Sequence, residues 1–282
     1  MNILKHCLIG NGVSLRDTPN RGDKIVPRYL VFHYTAGRSA QSSVDFLCKP
    51  EAKASAHVVI ARDGEITQLV PFNFKAWHAG ISHWDGLTGL NDYSIGIEMD
   101  NAGPLTQQGN KFISWFGYEY PDEDVVYARH KHGTSEQFWH AYTEIQITKA
   151  IEIAALLVST YNLVDVIGHE DIARGRKMDP GPAFPMNSIR SYVLGRTDDQ
   201  PETYRVNATS LNIRSGPGIE YEKVAPPIKN GTEVILLETG DRWSRVEVPG
   251  DVDIEGWVSN QYLSSEIQNI NEHYKYAADT KN

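Results

Sequence analysis

One short stretch decides the fold that we predict for the first two thirds of the chain, residues 29–33 (YLVFH). It is rich in β-branched and aromatic residues and is followed by the turn-forming stretch 34–37 (YTAG), a pattern typical of a buried strand. Similar runs occur at 57–60, 66–70, 94–99 and 164–167. Because helix-like segments lie between these runs, we predict an α/β (α+β) domain with a central mixed β-sheet covered by helices.

Two segments carry helix signals. The first begins near Ser42 and places Val44 and Leu47 on one face. The second begins after Thr143, and Gln146 three residues later completes a capping-box pattern. Apolar residues then recur at helical spacing, at Ile147, Ala150, Ile151, Ala154, Leu157 and Val158. Both patterns are typical of amphipathic helices that cover a sheet.

Composition and charge exclude several classes of protein. The 282 residues include 40% hydrophobic and 22% charged side chains, which is ordinary globular usage and argues against wholesale disorder. A net charge of −9 argues against binding to nucleic acid, which requires a basic face. No run of 18 apolar residues is present to span a membrane. Two cysteines, Cys7 and Cys48, cannot form a disulfide framework or a cysteine-rich zinc cluster.

The chain is predicted to divide at a polar seam. Residues 196–202 are polar, contain a proline and lack apolar periodicity, as is typical of a linker. We predict one domain over 1–195, a small all-β domain over 203–263, where short alternating runs are separated by turn residues, and a polar tail over 264–282. Residues 104–140 mix aromatic residues with Gly, Asp and His without a clean period, which predicts a long, partly ordered loop that borders a site.

Three potential metal ligands follow strand-like runs or close a turn-rich loop. His33 ends the first run, His169 follows the run at 164–167, and Asp179 closes a loop of Gly and Arg residues ten positions later. Two imidazoles and a carboxylate are the minimal protein set for a catalytic zinc, which keeps a fourth position for water. Such a zinc lowers the pKa of its water to about 7.

Two charged residues are placed to assist such a metal. Glu98 lies near the end of the run at 94–99, where a carboxylate can deprotonate water. Lys177 precedes Asp179 by two residues and can offer a fixed cation to a developing oxyanion. Spacing alone slightly favours the alternative, that Glu98 is a surface carboxylate and Lys177 a solvated loop cation.

Five sequence blocks, taken in order, resemble one known family. The blocks are 31–37 (VFHYTAG), 55–66 (SAHVVIARDGEI), 77–80 (WHAG), 91–98 (NDYSIGIE) and 169–181 (HEDIARGRKMDPG). Together they resemble the zinc-dependent N-acetylmuramoyl-L-alanine amidases of type 2, which are related to peptidoglycan recognition proteins and phage amidase lysozymes. The order of all five blocks makes this resemblance far more specific than any single block.

The resemblance implies a role for each matching position. His33, His169 and Asp179 would be the zinc ligands, Glu98 the catalytic carboxylate and Lys177 the lysine that stabilises the oxyanion.

Other positions in the blocks are given supporting roles. Some phage relatives use a tyrosine in place of the glutamate, but the corresponding residue here is Ala56, which favours the glutamate-type branch. We expect His57 and His78 to form hydrogen bonds around the site rather than bind the metal. Trp77 and Trp84 are open to two interpretations, as walls of a pocket or as core residues.

The region 203–263 resembles the bacterial SH3-like modules. Its matching blocks are 208–218, 230–234, 243–246, 256–258 and 262–263. The resemblance implies cell-wall binding, with a spacer role as the alternative. Residues 202–263 carry ten acidic and six basic side chains, so a polyanionic ligand is not expected.

The function implied by the resemblance is hydrolysis of the amide bond between N-acetylmuramic acid and L-alanine in peptidoglycan and its muropeptides. The alternatives are a non-catalytic peptidoglycan-binding protein and a general zinc peptidase, although the latter would lack a His-Glu-x-x-His motif. Residues 1–10 lack the features of a secretory signal. We therefore expect synthesis in the cytoplasm, followed by action on the bacterial wall, either after lysis as an endolysin or after dedicated export as an effector. Cytosolic recycling of wall fragments is the third alternative, and the SH3-like module favours polymeric wall over small fragments.

Overall fold

A computed structural model describes residues 1–195, 203–238, 240, 242–249 and 254–265. The chain forms two compact units, Met1–Thr197 and Asp198–Asn282. The predicted linker, 196–202, lies outside the described residues, as does all of the predicted tail beyond Ser265.

The first unit alternates strands and helices. Its elements, in chain order, are β1 Asn2–Leu4, β2 Cys7–Ile9, β3 Val13–Leu15, β4 Arg21–Lys24, β5 Tyr29–Tyr34, α1 Ala40–Leu47, β6 Val58–Ile60, β7 Ile66–Gln68, β8 Phe74–Ala76, β9 His83–Trp84, β10 Leu87–Thr88, β11 Ser94–Met99, β12 Pro104–Gln108, β13 Lys111–Ile113, β14 Glu119–Tyr120, β15 Val125–Arg129, β16 Glu136–His140, α2 Glu144–Tyr161, β17 Asp165–Gly168, α3 His169–Ile172 and α4 Met186–Leu194. Short 3-10 turns cover Pro50–Ala52, Leu90–Asp92 and Asp122–Asp124.

A six-stranded sheet forms the centre of this unit, in the order β17-β5-β11-β6-β7-β3. The pairs β17/β5, β5/β11, β11/β6 and β7/β3 are parallel, whereas β6/β7 is antiparallel. The predicted α/β fold with a mixed central sheet is therefore confirmed. In the β5/β11 register His33 lies opposite Glu98, and β17 ends beside Phe32. The carboxyl ends of these three strands consequently meet at one edge of the sheet.

The long helix α2 covers one face of the sheet. Its Ala150, Ile153 and Leu157 are fully buried in the same cluster as Leu30 and Ile97 of the central strands. Burying an Ile or Leu side chain contributes about 1.5–3 kcal/mol to stability, so the packing of α2 on the sheet stabilises this unit substantially.

Capping side chains fix where the two predicted helices begin. The predicted capping box at the start of α2 is present, because the Thr143 side chain accepts a hydrogen bond from the Gln146 backbone amide and the Gln146 side chain accepts one from the Thr143 backbone amide. Helix α1 is capped in the same way by Ser39 and Ser42, so it begins two residues before the predicted start.

The prediction of a long loop over 104–140 is wrong. Strands β12–β16 form a five-stranded antiparallel sheet in the order β14-β13-β12-β16-β15, here called the accessory sheet. Aromatic rings stack across its strands: Phe138 lies 4.7 Å from both Phe112 and Tyr127, between ring centroids. Several of its strand residues are only partly buried, so the alternation of apolar and polar residues that marks a one-sided sheet is missing.

The second unit is an all-β structure, as predicted. Its strands are β18 Thr203–Val206, β19 Ser210–Leu211, β20 Ile228–Lys229, β21 Glu233–Glu238, β22 Trp243–Val248, β23 Ile254–Ser259 and β24 Leu263–Ser265. Five of them form an antiparallel sheet in the order β23-β22-β21-β18-β24, over a core that includes Val206, Ile213, Val234 and Val258. Ser264 belongs to β24, so the predicted tail begins too early at this position.

Within the part of the chain that the structure describes, no helix is long and apolar enough to cross a bilayer.

Candidate metal centre

Three side chains predicted as metal ligands converge at the carboxyl edge of the central sheet. His33 Nδ1, His169 Nδ1 and Asp179 Oδ2 form a triangle in which each pair of atoms is 2.9 Å apart. All three residues are buried. His33 lies on strand β5, and His169 is the first residue of α3. Asp179 lies in the loop after α3, which returns the chain to the two histidines.

The hydrogen bond made by Nε2 of His169 determines whether its Nδ1 atom, which faces the triangle, carries a proton or a lone pair. Nε2 of His169 lies 3.1 Å from the carbonyl oxygen of Ala79, to which it donates a hydrogen bond. A neutral imidazole carries one proton, so the Nδ1 atom that faces the triangle presents a lone pair.

A longer chain of hydrogen bonds assigns the same state to His33. The Ser94 hydroxyl donates to the Leu90 carbonyl oxygen at 2.6 Å, so its oxygen accepts from His78 Nε2 at 3.2 Å. His78 Nδ1 is then an acceptor, and His33 Nε2 donates to it at 2.9 Å. The Nδ1 atom of His33 is left with a lone pair that faces the triangle.

The triangle is suited to a cation. Three lone pairs 2.9 Å apart repel one another unless a proton or a metal ion lies between them. Burial, followed by the charge of His169, lowers the pKa of His33 to about 4, which disfavours a shared proton at neutral pH. These three residues could therefore hold a metal ion.

Glu98 lies beside the triangle on β11. Among the described residues, no group donates a hydrogen bond to its buried Oε2 atom. Burial, and next the negative charge of Asp179, raise the pKa of Glu98 well above its usual range, whereas Lys177 lowers it. A carboxylate that is buried without a partner is costly for folding and typical of a group that exchanges protons with a ligand.

A cavity of about 670 Å³ lies over the triangle. Besides the three candidate ligands it is lined by Glu98 and Lys177, so all five predicted site residues meet in one place. Trp77 also lines this cavity, whereas Trp84 packs in a separate cluster with Tyr29 and belongs to neither the cavity nor the triangle.

The two remaining histidines of the motifs form hydrogen bonds around the site. His57 accepts from the Gly96 amide at 3.0 Å and donates to the Phe74 carbonyl at 2.9 Å. His78 connects His33 to Ser94, as described above. Gly96 leaves room for this ring, because a Cβ atom at that position would lie 2.4 Å from the His78 ring.

One part of the prediction for 104–140 is confirmed, because this segment borders the site: Trp115, in the turn between β13 and β14, lines the cavity. One feature of the site was missed in the sequence. Glu170, next to His169, forms a hydrogen bond with His130 at 2.6 Å and an ion pair with Lys131 at 2.9 Å. Both partners lie in the connection between β15 and β16 of the accessory sheet. Local patterns carry no signal for contacts between residues about forty positions apart.

The fold and the triangle define an α/β protein with a buried His-His-Asp cluster of the kind that binds a divalent metal. Residues 22–182, more than half of the chain, match the family described as N-acetylmuramoyl-L-alanine amidase, and the chain belongs to that family. Residues 209–264 match the bacterial SH3 domain.

Curated relatives show the same similarity over part of their length. The chain is 34% identical over 143 residues to the 1,6-anhydro-N-acetylmuramyl-L-alanine amidase AmpD of Salmonella typhimurium (strain SL1344), covering 50% of this chain and 58% of that protein. It is 33% identical over 202 residues to the N-acetylmuramoyl-L-alanine amidase AmiD of Escherichia coli (strain K12), covering 68% and 62%. The matched regions thus span about three fifths of these relatives' own length. The structure of E. coli AmiD in complex with the substrate anhydro-N-acetylmuramic acid-L-Ala-D-gamma-Glu-L-Lys is 32% identical, with a TM-score of 0.43 over 61% of this chain and 57% of that chain.

Proposed function

We propose that this protein is a zinc-dependent hydrolase that cleaves the amide bond between N-acetylmuramic acid and L-alanine in peptidoglycan. The observation that carries the proposal is the triangle of His33, His169 and Asp179 with the buried Oε2 atom of Glu98 beside it, to which no described group donates a hydrogen bond. Membership of the amidase family supports the choice of bond.

The donor set favours zinc as the metal. His33 and His169 would supply two imidazole nitrogens and Asp179 one carboxylate oxygen, which matches zinc sites with three protein ligands. When bound, zinc would supply Lewis-acid polarisation of the scissile carbonyl and acidify a water molecule.

Glu98 would move the proton. In the proposed reaction a water oxygen adds to the carbonyl carbon, Glu98 accepts the proton, and the proton passes to the nitrogen as the carbon–nitrogen bond breaks. The products are the lactyl carboxylic acid and the free amine of L-alanine. The raised pKa of Glu98 suits this role, because a base with a pKa closer to neutrality can also return the proton.

Lys177 would stabilise the negative charge that develops on the carbonyl oxygen. It lines the same cavity as Glu98, and its charge lowers the pKa of that carboxylate, so the two groups interact. A fixed cation beside a developing oxyanion is worth several kcal/mol, roughly 3, in a site that excludes water.

The substrate and the domain roles form part of the same proposal. We assign the catalytic domain to 1–195, the linker to 196–202 and a wall-binding SH3-like domain to 203–263. The substrate would be polymeric peptidoglycan or its muropeptides, reached after lysis or by a dedicated export route. The E. coli relative AmiD has been solved with a muropeptide substrate, which supports this substrate class.

Mass spectrometry of purified sacculi digested with the protein tests the proposal. Release of peptides with a free L-alanine amine is expected, with loss of release after chelation and in Glu98→Ala. Glu51→Ala, at an exposed carboxylate, is the matched control and should retain activity. Binding to sacculi without peptide release would instead identify a non-catalytic recognition protein.

A further inference from the structure

One tryptophan of the accessory sheet is exposed beside the candidate metal centre. Trp115 lies in the turn between β13 and β14, which is closed by backbone hydrogen bonds between Ser114 and Tyr118 and between Ser114 and Gly117. Its side chain is 76% exposed and lines the cavity over the triangle. An indole this exposed adds little to the core, so its position calls for another explanation.

Two contacts hold the indole in place. Its Nε1 atom donates a 2.9 Å hydrogen bond to the Ala36 carbonyl, in the loop that follows β5. Phe116 packs edge-on against it, with ring centroids 5.5 Å apart, and the Arg38 guanidinium lies over the Phe116 ring. The polar edge of the indole is therefore satisfied inside the protein, and the exposed surface that remains is apolar.

The accessory sheet is also fixed to the segment that carries His169. Lys131 lies 2.9 Å from Glu170 and 2.7 Å from Asp171, and His130 lies 2.6 Å from Glu170. The sheet that carries Trp115 is thus anchored both to the loop after β5 and to α3. A contact surface held in this way loses little conformational entropy when a ligand binds.

The part of the cavity wall that comes from the loop after β5 and from α1 is uncharged. These segments contribute Ala36, Gly37, Ser42, Ser43 and Phe46 to the wall, whereas the cations of the cavity, Arg176 and Lys177, come from the loop after α3. The other cation near the indole, Arg38, is engaged with the ring and the carbonyl oxygen of Phe116. Stem peptides carry carboxylates, which suit the cations of the cavity. Pyranose rings are uncharged and present one apolar face of C–H groups together with hydroxyl groups, which suit an indole that shares its cavity with an uncharged wall.

We propose that Trp115 is a saccharide-binding platform, on which the glycan part of the substrate stacks while the amide bond lies over the triangle. The inference rests on the proposed function, because it assigns the glycan side of that substrate. It adds a binding residue that lies outside the five motif blocks and on the accessory sheet.

Binding of a peptide-free disaccharide, N-acetylglucosaminyl-N-acetylmuramic acid, to the full-length chain tests the platform. The probe has no amide bond to cleave at the lactyl group, so the measurement does not depend on catalysis. Titration calorimetry should show about tenfold weaker binding for Trp115→Ala, since a stacked aromatic contact contributes on the order of a tenfold change in affinity. Tyr118→Ala, in the same turn and also exposed, should bind as the wild type does.

Trp115→Phe separates stacking from anchoring. Phenylalanine keeps an aromatic face but lacks the donor to Ala36, so its affinity should lie within about threefold of the wild type. The disaccharide should change the tryptophan fluorescence of the wild type more than that of this variant, which keeps Trp77 in the cavity lining. Equal loss in the Phe and Ala variants would overturn the platform, because Trp115 would then act only by holding the loop after β5.

Two further outcomes would also overturn it. One is unchanged disaccharide affinity in a folded Trp115→Ala variant. The other is weaker binding of the free stem peptide in that variant, with saccharide binding unaffected. Failure of the wild type to release peptides from sacculi would refute the proposed function instead, and the disaccharide titration would still report on Trp115.

Discussion

Nε2 of His33 lies 2.9 Å from Nδ1 of His78, and this hydrogen bond determines that Nε2 of His33 carries the proton while its Nδ1 presents a lone pair to the candidate metal centre. The direction of the bond follows from the far end of the chain, where the Ser94 hydroxyl donates to the Leu90 carbonyl and must accept from His78. The partner of a ligating imidazole sets its tautomer, and losing such a partner costs about 10–100-fold in metal affinity.

His78 is accordingly expected to control metal affinity. His78→Leu removes the acceptor, so zinc affinity of the metal-free protein, measured by competition with a chromophoric chelator, should fall about 10–100-fold. His78→Asn keeps an acceptor at the position of Nδ1 and should lose less. His83→Leu, at an exposed histidine, is the control. Equal affinities in the wild type and His78→Leu would contradict the tautomer assignment.

Removal of the metal is expected to destabilise the fold. Without a cation the lone pairs of His33, His169 and Asp179 face one another at 2.9 Å. At a free zinc concentration a thousand times Kd, binding adds about 4 kcal/mol, which corresponds to a rise in Tm of about 8–16 °C. Differential scanning fluorimetry should show this rise in the wild type and not in Asp179→Ala. An identical response in both proteins would rule out the triangle as the binding site.

The pH profile is expected to report on Glu98. Its pKa is raised by burial and by Asp179, and a base acts only when ionised, so activity should rise with pH through this raised pKa. Lys177→Gln removes a charge that lowers the pKa, so the acid limb of kcat/KM should move to higher pH. Lys177→Arg keeps the charge and should leave the limb near its original position. Profiles between about pH 5 and 9 decide the point, and a limb that stays in place in Lys177→Gln would refute the assignment.

Much of the central sheet could be predicted from the sequence. Strands β5 and β11 are short apolar runs bounded by turn residues, and the pattern at Thr143 identifies the first residue of α2. The two strands are buried on both faces and therefore form continuous apolar runs, whereas the helix buries one stripe and therefore shows apolar residues at helical spacing. His33, His169 and Asp179 could be named as candidates because each follows or closes a recognisable segment, but their role as ligands is implied by the resemblance of the five blocks to a known family.

The accessory sheet could not be predicted, because its strands are only partly buried and give no regular pattern of apolar residues. Phe112 and Tyr127 each pack against Phe138 with tilted rings, in strands that remain partly exposed, so no period of two stands out. Contacts such as Trp115 with Ala36 and Lys131 with Glu170 join distant parts of the chain. Only the folded arrangement brings these pairs together, and local propensity contains no information about them.

The ion pairs of Lys131 are expected to stabilise the first unit. Glu170 is almost fully buried, so Lys131→Met leaves its charge with less compensation. Because Lys131 itself is partly exposed, we expect a loss of about 1–2 kcal/mol in the free energy of unfolding by urea. Lys111→Met, which removes an exposed pair with Glu119 on the same sheet, should cost less than about 0.5 kcal/mol. Equal losses in the free energy of unfolding would mean that the Lys131–Glu170 contact stabilises the fold no more than an exposed ion pair does.

The buried ring of His57 is expected to make stability depend on pH. Its Nδ1 atom accepts a hydrogen bond from the Gly96 amide and its Nε2 atom donates to the Phe74 carbonyl, so a second proton has no acceptor. Burial lowers the pKa of His57 from 6.5 to about 4. Between these two values the unfolded chain binds a proton that the folded chain does not, so stability falls as pH falls through this window.

The size of this effect can be isolated with one variant. A shift from 6.5 to about 4 corresponds to about 3 kcal/mol of stability present at pH 7 and lost by pH 4. His57→Asn cannot be protonated in this range and keeps an acceptor for the Gly96 amide. Urea unfolding of the chelator-treated proteins at several pH values should therefore give a shallower loss of stability for the variant than for the wild type. The other buried histidines are common to both proteins, so they cancel in the difference. Parallel curves would show that His57 takes up its proton equally in the folded and unfolded states, against the burial and hydrogen bonding described above.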